Sequence, residues 1–235
     1  MKTLFSEIQS LFERTYSSIG INLEDCLVDS QRSRQLAALA GAQAAELAET
    51  ARTFLREIDG QLRIGIYYSE WLIDQLERHD PRMGLNDHNI RELIAFVEEI
   101  NHALHAALQF RQGTSPTRSE SYARNLELQA GVDTYLVLTL FLAFFRKPHP
   151  ITSFDRRWIR FHLFESRNPR AYRDPQLRAR YAETTRLARR YTRYLESLAA
   201  SRRVEEIRVF RALPYGEKRH RILALGWKQS ERSVI

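Results

Sequence analysis

Between Val132 and Phe145 the chain reads VDTYLVLTLFLAFF, apolar apart from Asp133 and two threonines, with no polar face at helical or strand spacing. A helix that is apolar all round is either a membrane span or the central element of a helical core. A span needs about 20 predominantly apolar residues. The stretch from Leu126 to Phe145 carries Glu127, Gln129 and Asp133 in its first half, and a carboxylate at bilayer depth is costly. The pattern therefore predicts a buried central helix, from near Ser119 to before Pro148, with Asp133 where its polar end enters the core.

The remaining periodicity is mostly helical. From Thr3 to about Ser17, Leu4, Ile8, Leu11 and Phe12 recur at helical spacing, and Gly20 and Asn22 end the segment. From Arg32 to about Ile58 the chain is dense in Ala, Leu, Glu and Arg, strong helix formers, with Ser30 suited to the N-cap. Asp59-Gly60 marks a turn, and QLRIGIYYS after it is β-branched and aromatic, the one stretch that fits a strand. Further helices are predicted behind Ser69, over about 88–110, behind Ser153, and from Pro175 to about Ala200. VEEIRVFRAL at 204–213 suits strand or helix, and EKRHRILAL at 217–225 suits a last helix. Residues 111–119 read as a loop or linker and 228–235 as a frayed tail. With no repeat of fixed period, this amounts to a single all-α domain over residues 1–235. It is a bundle of about seven or eight helices around a hydrophobic centre, with at most one short β element.

Composition supports that class. Nine glycines and seven prolines in 235 residues are too few for a turn-rich β architecture. The single cysteine, Cys26, excludes an intramolecular disulfide and a cysteine-based metal cluster. It also lacks a neighbouring base for nucleophilic work. Glu7 and Glu13 interrupt what would be the apolar region of a signal peptide, which leads to an expectation of a cytoplasmic protein without a membrane partner. Charge is unevenly divided. Residues 1–118 hold 12 basic and 17 acidic side chains, a net of −5, and residues 119–235 hold 24 and 12, a net of +12. Such asymmetry points to an anionic partner or to a solvated basic face.

Three groups of residues are candidates for chemistry. Glu99 and His102 form an E-x-x-H pair, the spacing that di-metal carboxylate bundles place on a helix. With Glu98, and with Glu127 and Asp133 from the central helix, they make a possible site for Fe, Mn or Zn. His162 with Glu165 adds a reversed pair. Against this, at about 100° per residue Glu98, His102 and His105 fall on the flank of the apolar face, where solvent is the usual neighbour. Glu127 and Asp133 are also far apart in helical phase, and E-x-x-H does not recur. Second, Arg180 lies inside the apolar stripe of the 175–200 helix. An arginine there pairs with a buried acid or a bound anion, and Asp133, Glu127 and Glu183 are the acids at hand. The functional form of this reading is a polar pocket for an anionic ligand. Third, Arg178, Arg186, Arg189 and Arg193 form a basic stripe opposite that core face. Nearby arginines at 167, 170, 173, 202 and 203, with Tyr172 and Tyr194 among them, extend it into a footprint for phosphate or acidic side chains.

No glycine-rich phosphate loop, H-E-x-x-H or G-x-S-x-G motif is present. The resulting expectation is a helical scaffold or adaptor, with no cofactor required, that binds an acidic protein partner through Arg178, Arg180, Arg186, Arg189 and Arg193. The alternatives are a metal-dependent helical enzyme at Glu98, Glu99, His102, Glu127 and Asp133, and a nucleic-acid-binding protein.

Overall fold

A computed structural model describes residues 3–40, 50–116, 119–166 and 172–225. Among these, nine α-helices and one β-hairpin share one hydrophobic core. The helices are α1 (Leu4–Thr15), α2 (Ser30–Ala40), α3 (Glu70–Arg78), α4 (Ile90–Arg111), α5 (Glu120–Phe145), α6 (Ser153–Arg160), α7 (Pro175–Glu196), α8 (Ala200–Ala212) and α9 (Tyr215–Ala224). The strands are β1 (Ala51–Ile58) and β2 (Gln61–Tyr68).

α5 is the central helix. It packs against α4 and α7, with α6 and α9 also resting on it. Ser119 caps it by accepting a hydrogen bond from the Tyr122 amide at 3.2 Å, leaving the apolar run free to enter the core. Among the described residues it is the one helix long and apolar enough to cross a membrane, and 56% of its most apolar window is buried inside the fold. The approach of α7 is close. A Cβ built on Gly131 of α5 would lie 3.2 Å from that of Ala188, so glycine sets the distance between the two helices.

The segment from Arg32 to Ile58, predicted as one helix, is a helix only over Ser30–Ala40 in its described part, and residues 51–58 are a strand. β1 pairs antiparallel with β2 from Ala51↔Tyr68 to Ile58↔Gln61. The two-residue loop between them has positive φ at both Asp59 (52°) and Gly60 (68°), the conformation that Asp-Gly favours and that matches strand twist. This turn, together with Thr53 and Phe54 on one side and Ile64 and Ile66 on the other, outweighs the helical propensity of Leu55, Arg56 and Glu57. The alanine-rich run over 41–49 lies outside the described residues, as do residues 117–118 of the loop and the tail over 228–235. The hairpin lies on α4. The Tyr68 hydroxyl donates to the Phe96 carbonyl at 2.8 Å, and the Phe96 ring is 5.8 Å from that of Phe5 on α1.

Other ends differ from expectation by a residue or two. Asp29 rather than Ser30 caps α2, accepting from the Arg32 amide at 2.7 Å. Thr152 rather than Ser153 caps α6 in a capping box with Asp155. The ambiguous 204–213 stretch is helical, in α8. α6 continues as a π-turn over Phe161–Glu165.

Candidate functional site

α4 and α5 each carry a row of polar residues one turn apart on a buried face. On α4 these are Asn101, His105 and Gln109, and on α5 they are Asn125, Gln129 and Asp133. All six are buried. Residues at i, i+4 and i+8 lie one above another on a helix, so each row forms a polar seam within an otherwise apolar surface. The two seams meet. The Asn101 side-chain amide donates to Asp133 Oδ2 at 2.6 Å.

Two more elements converge on Asp133. Tyr16, at the C-terminal end of α1, donates its hydroxyl to Oδ1. Arg211, from α8, donates to Oδ2 at 3.2 Å and stacks its guanidinium 3.9 Å from the centre of the Tyr16 ring. Asp133 is 1% exposed and Arg211 5%. One carboxylate thus joins α1, α4, α5 and α8. Burial and the adjacent Asp133 charge push the Tyr16 hydroxyl well above its usual range, so it remains a donor.

A turn away, Lys218 of α9 is fully buried and donates to Gln129 Oε1 at 2.8 Å, with its ammonium 5.2 Å from the Phe210 ring centre. Burial, reinforced by Arg211, holds its amine well below the normal lysine range. His105, 1% exposed, is held well below the normal imidazole range by burial and by the nearby Lys218 and Arg211 charges. Neither His105 ring nitrogen has a hydrogen-bond partner among the described residues. The same holds for Asn101 Oδ1, Gln109 Oε1, Gln129 Nε2 and Arg211 Nε. Buried polar atoms are nearly always paired, with protein or with ordered water, so these six are atoms that water or a ligand would meet. A pocket of about 150 Å³ reaches it, lined by Tyr16, His105, Gln109, Arg208 and Arg211 among others. At about 30 Å³ per water, that is room for about five waters or one small organic ion.

The residues assigned to a metal site divide between two places. Asp133 belongs to the cluster just described. Glu98, Glu99, His102 and Glu127 lie toward α7 and the hairpin: His102 Nε2 is 4.0 Å from Glu127 Oε1, and Tyr181 of α7 donates to the same carboxylate at 3.0 Å. Burial raises the Glu99 carboxyl above its usual range. Glu98 borders a small cleft with Glu127 and Tyr181. Among the described residues, no three His, Cys, Asp or Glu side chains are grouped so as to hold a metal ion. His162 faces Asp87 at 3.2 Å and Glu165 faces Arg189 at 2.8 Å, so that pair also splits. The flank of α4 predicted to face solvent faces inward instead: His105 is buried and the His102 side chain is 13% exposed. α4 is enclosed by α1, α5 and the hairpin, and a helix surrounded in this way has little solvated flank.

Arg180 makes an ion pair, with a different acid from those named. Its guanidinium meets Glu120, at the start of α5, at 2.6 Å. Arg211, which carries no distinctive neighbourhood in the sequence, takes Asp133. Within the basic stripe, Arg178 donates to the Tyr172 carbonyl at 2.9 Å and Arg189 is paired with Glu165. Arg186 and Arg193 are exposed. Arg167 and Arg170 lie outside the described residues.

Comparison with protein-family models, with curated proteins and with solved structures found no match. The site is therefore read from its own geometry. It combines a buried Arg211–Asp133 ion pair, a buried lysine amine, and His105, Gln109 and Arg211 bordering a small pocket.

Proposed function

We propose that the protein is a helical ligand-binding protein whose half-open pocket at Arg211 and His105 receives a small organic anion, of the size of a short carboxylate bearing one further hydrogen-bonding group. The observation that carries this reading is His105, buried beside the pocket with both ring nitrogens unpaired and Arg211 Nε unpaired near it. Leaving a buried donor or acceptor unsatisfied costs about 1–3 kcal/mol each. A ligand that pairs with several of them must do so at least as well as ordered water does.

Charge supports an anion. Arg211 and the exposed Arg208 both line the pocket, so an anion there would meet two guanidinium groups. The unpaired acceptors, Gln109 Oε1 and Asn101 Oδ1, favour a ligand that also donates. The pocket volume favours a small one. The test is thermal unfolding of the protein titrated with lactate, glycolate, acetate and phosphate, repeated on His105→Leu. Saturable stabilisation by a hydroxy acid, reduced or absent in the variant, supports the reading. Melting temperatures that rise equally with every salt in both proteins overturn it, because that pattern reflects ionic strength rather than a site.

The acidic-partner reading of the basic stripe now rests chiefly on Arg186 and Arg193. Both are exposed, and no described residue forms an ion pair with them. Reversing both to Glu tests that surface without disturbing the interior. Unchanged association with acidic partners would remove it.

A further inference from the structure

A second cleft lies between the start of α4 and the end of α6. The loop before α4 and its first turn supply Asp87, His88, Arg91 and Glu92, and α6 with its π-turn supplies Trp158, Phe161 and His162. The cleft is half-open and has a volume of about 490 Å³, within the range of small-molecule sites. Three rings form one wall. Trp158 and Phe161 stand edge-on to His162, with ring centres 4.8 and 5.2 Å from it. The helix opens into its π-turn at this point, an irregularity frequent at functional sites. The opposite wall is fastened to the first. Trp158 Nε1 donates to Asp87 Oδ1 at 3.0 Å, and His162 Nε2 lies 3.2 Å from the same oxygen. The buried Asn89 side chain anchors the loop by donating to the His79 and Gly84 carbonyls at 3.0 and 2.8 Å.

Charge selects the ligand. Asp87 and Glu92 are set against Arg91 in the lining, and the three arginines of α6, Arg156, Arg157 and Arg160, do not border the cleft. Asp87 faces an imidazole rather than a fixed cation, since burial holds His162 below its ordinary range against the pull of Asp87. His162 is 9% exposed, and its Nδ1 has no hydrogen-bond partner among the described residues. We propose that this cleft binds a small organic cation, an alkylammonium ion seated between the aromatic wall and the carboxylates of Asp87 and Glu92. Ammonium groups are attracted to the faces of Trp and Phe rings, and carboxylates beside the rings add to that attraction. Phe161 is 49% exposed and the Asp87 side chain 75%, so a cation reaches both without displacing the core. This site differs from the anion pocket in place and in the sign of its ligand, so each stands without the other.

Choline and its uncharged isostere 3,3-dimethyl-1-butanol are the probes, titrated into the full chain by calorimetry. The protein has three tryptophans, and Trp71→Phe with Trp227→Phe leaves Trp158 as the sole indole to report position. Choline is expected to bind saturably and to change the Trp158 emission, and the isostere to do neither. Asp87→Asn with Glu92→Gln should weaken choline about three- to tenfold. Circular dichroism should not change, because asparagine still offers the Trp158 indole an acceptor. Phe161→Ala should weaken choline about twofold or more. Equal binding of the isostere overturns the proposal, as does unchanged affinity in the amide variant. Absence of choline binding overturns it too, and phosphate binding that Arg91→Gln removes would then assign the cleft to an anion.

Discussion

Asp133 Oδ2 and the guanidinium of Arg211 lie 3.2 Å apart across 78 residues of chain, both in the protein interior. Together with Tyr16 and Asn101 they link the N-terminal helix, the two core helices and the C-terminal helices through a single carboxylate. Breaking a buried pair from one side strands a charge, whereas removing both charges can be far milder. Asp133→Leu or Arg211→Met alone is expected to cost about 3–5 kcal/mol, and the double variant substantially less than the sum. Urea unfolding of the four proteins in a double-mutant cycle measures this. Strict additivity would contradict the linkage.

Arg180 provides the contrast. Its pair with Glu120 is at the start of α5 and partly open to solvent, with the Glu120 side chain 24% exposed. The contact is bidentate and Glu120 also pairs with Arg124, so it contributes more than an isolated surface pair but less than the fully buried one. Arg180→Met should therefore cost about 1–2 kcal/mol in the same unfolding assay and leave anion-dependent stabilisation intact. A loss as large as that for Arg211→Met would show that the core depends on this pair too.

His105 gives a pH dependence with a definite sign. Its folded-state value is depressed below the ordinary 6.5, so below about that pH the unfolded chain binds a proton that the folded protein refuses. The contribution is full above 6.5 and is lost as pH falls through the depressed value. Glu99, whose carboxyl is raised above 4.5, acts oppositely: its contribution is present below that value and is lost as pH rises. The difference between wild type and His105→Leu isolates the histidine. Wild type should lose stability relative to the variant on acidification from pH 7 to pH 5. A difference that does not change with pH contradicts a buried neutral imidazole.

Gly131 sets the approach of α5 to α7. With a Cβ only 3.2 Å from that of Ala188, Gly131→Ala demands a shift of a few tenths of an ångström, against the helical gain of about 1 kcal/mol that alanine brings. The net change should be small. Gly131→Leu overpacks the interface and should destabilise by about 1–3 kcal/mol or more. Melting temperatures of the two variants check the ordering.

Much of the architecture was legible because α1, α4 and α7 repeat apolar residues at helical spacing and α5 is a long apolar run, with Ser119 and Pro175 marking two of their starts. The hairpin was half legible. Asp59-Gly60 and QLRIGIYY pointed to it, while the alanine-rich lead-in masked the first strand. Asp133 was identified as a buried carboxylate from its place in the apolar run. Its partner was not, since the apolar residues of α8, Val204, Ile207, Val209 and Phe210, are spread around the helix and leave no stripe for Arg211 to interrupt, whereas Arg180 lies inside one. The seam Asn101, His105 and Gln109 was readable at i, i+4 and i+8. The E-x-x-H pair at Glu99 and His102 beside it has the more specific spacing, and His105 falls on the flank of the apolar face, where solvent is the usual neighbour.

On the proposed function, the pocket at Arg211 and His105 holds a small anion. A crystal structure grown with a saturating hydroxy acid tests it most directly. Carboxylate density bonded to Arg211 Nε and a ring nitrogen of His105, with the hydroxyl on Gln109, is the predicted result. Ordered water alone at those atoms, with the acid absent from the pocket, would contradict it.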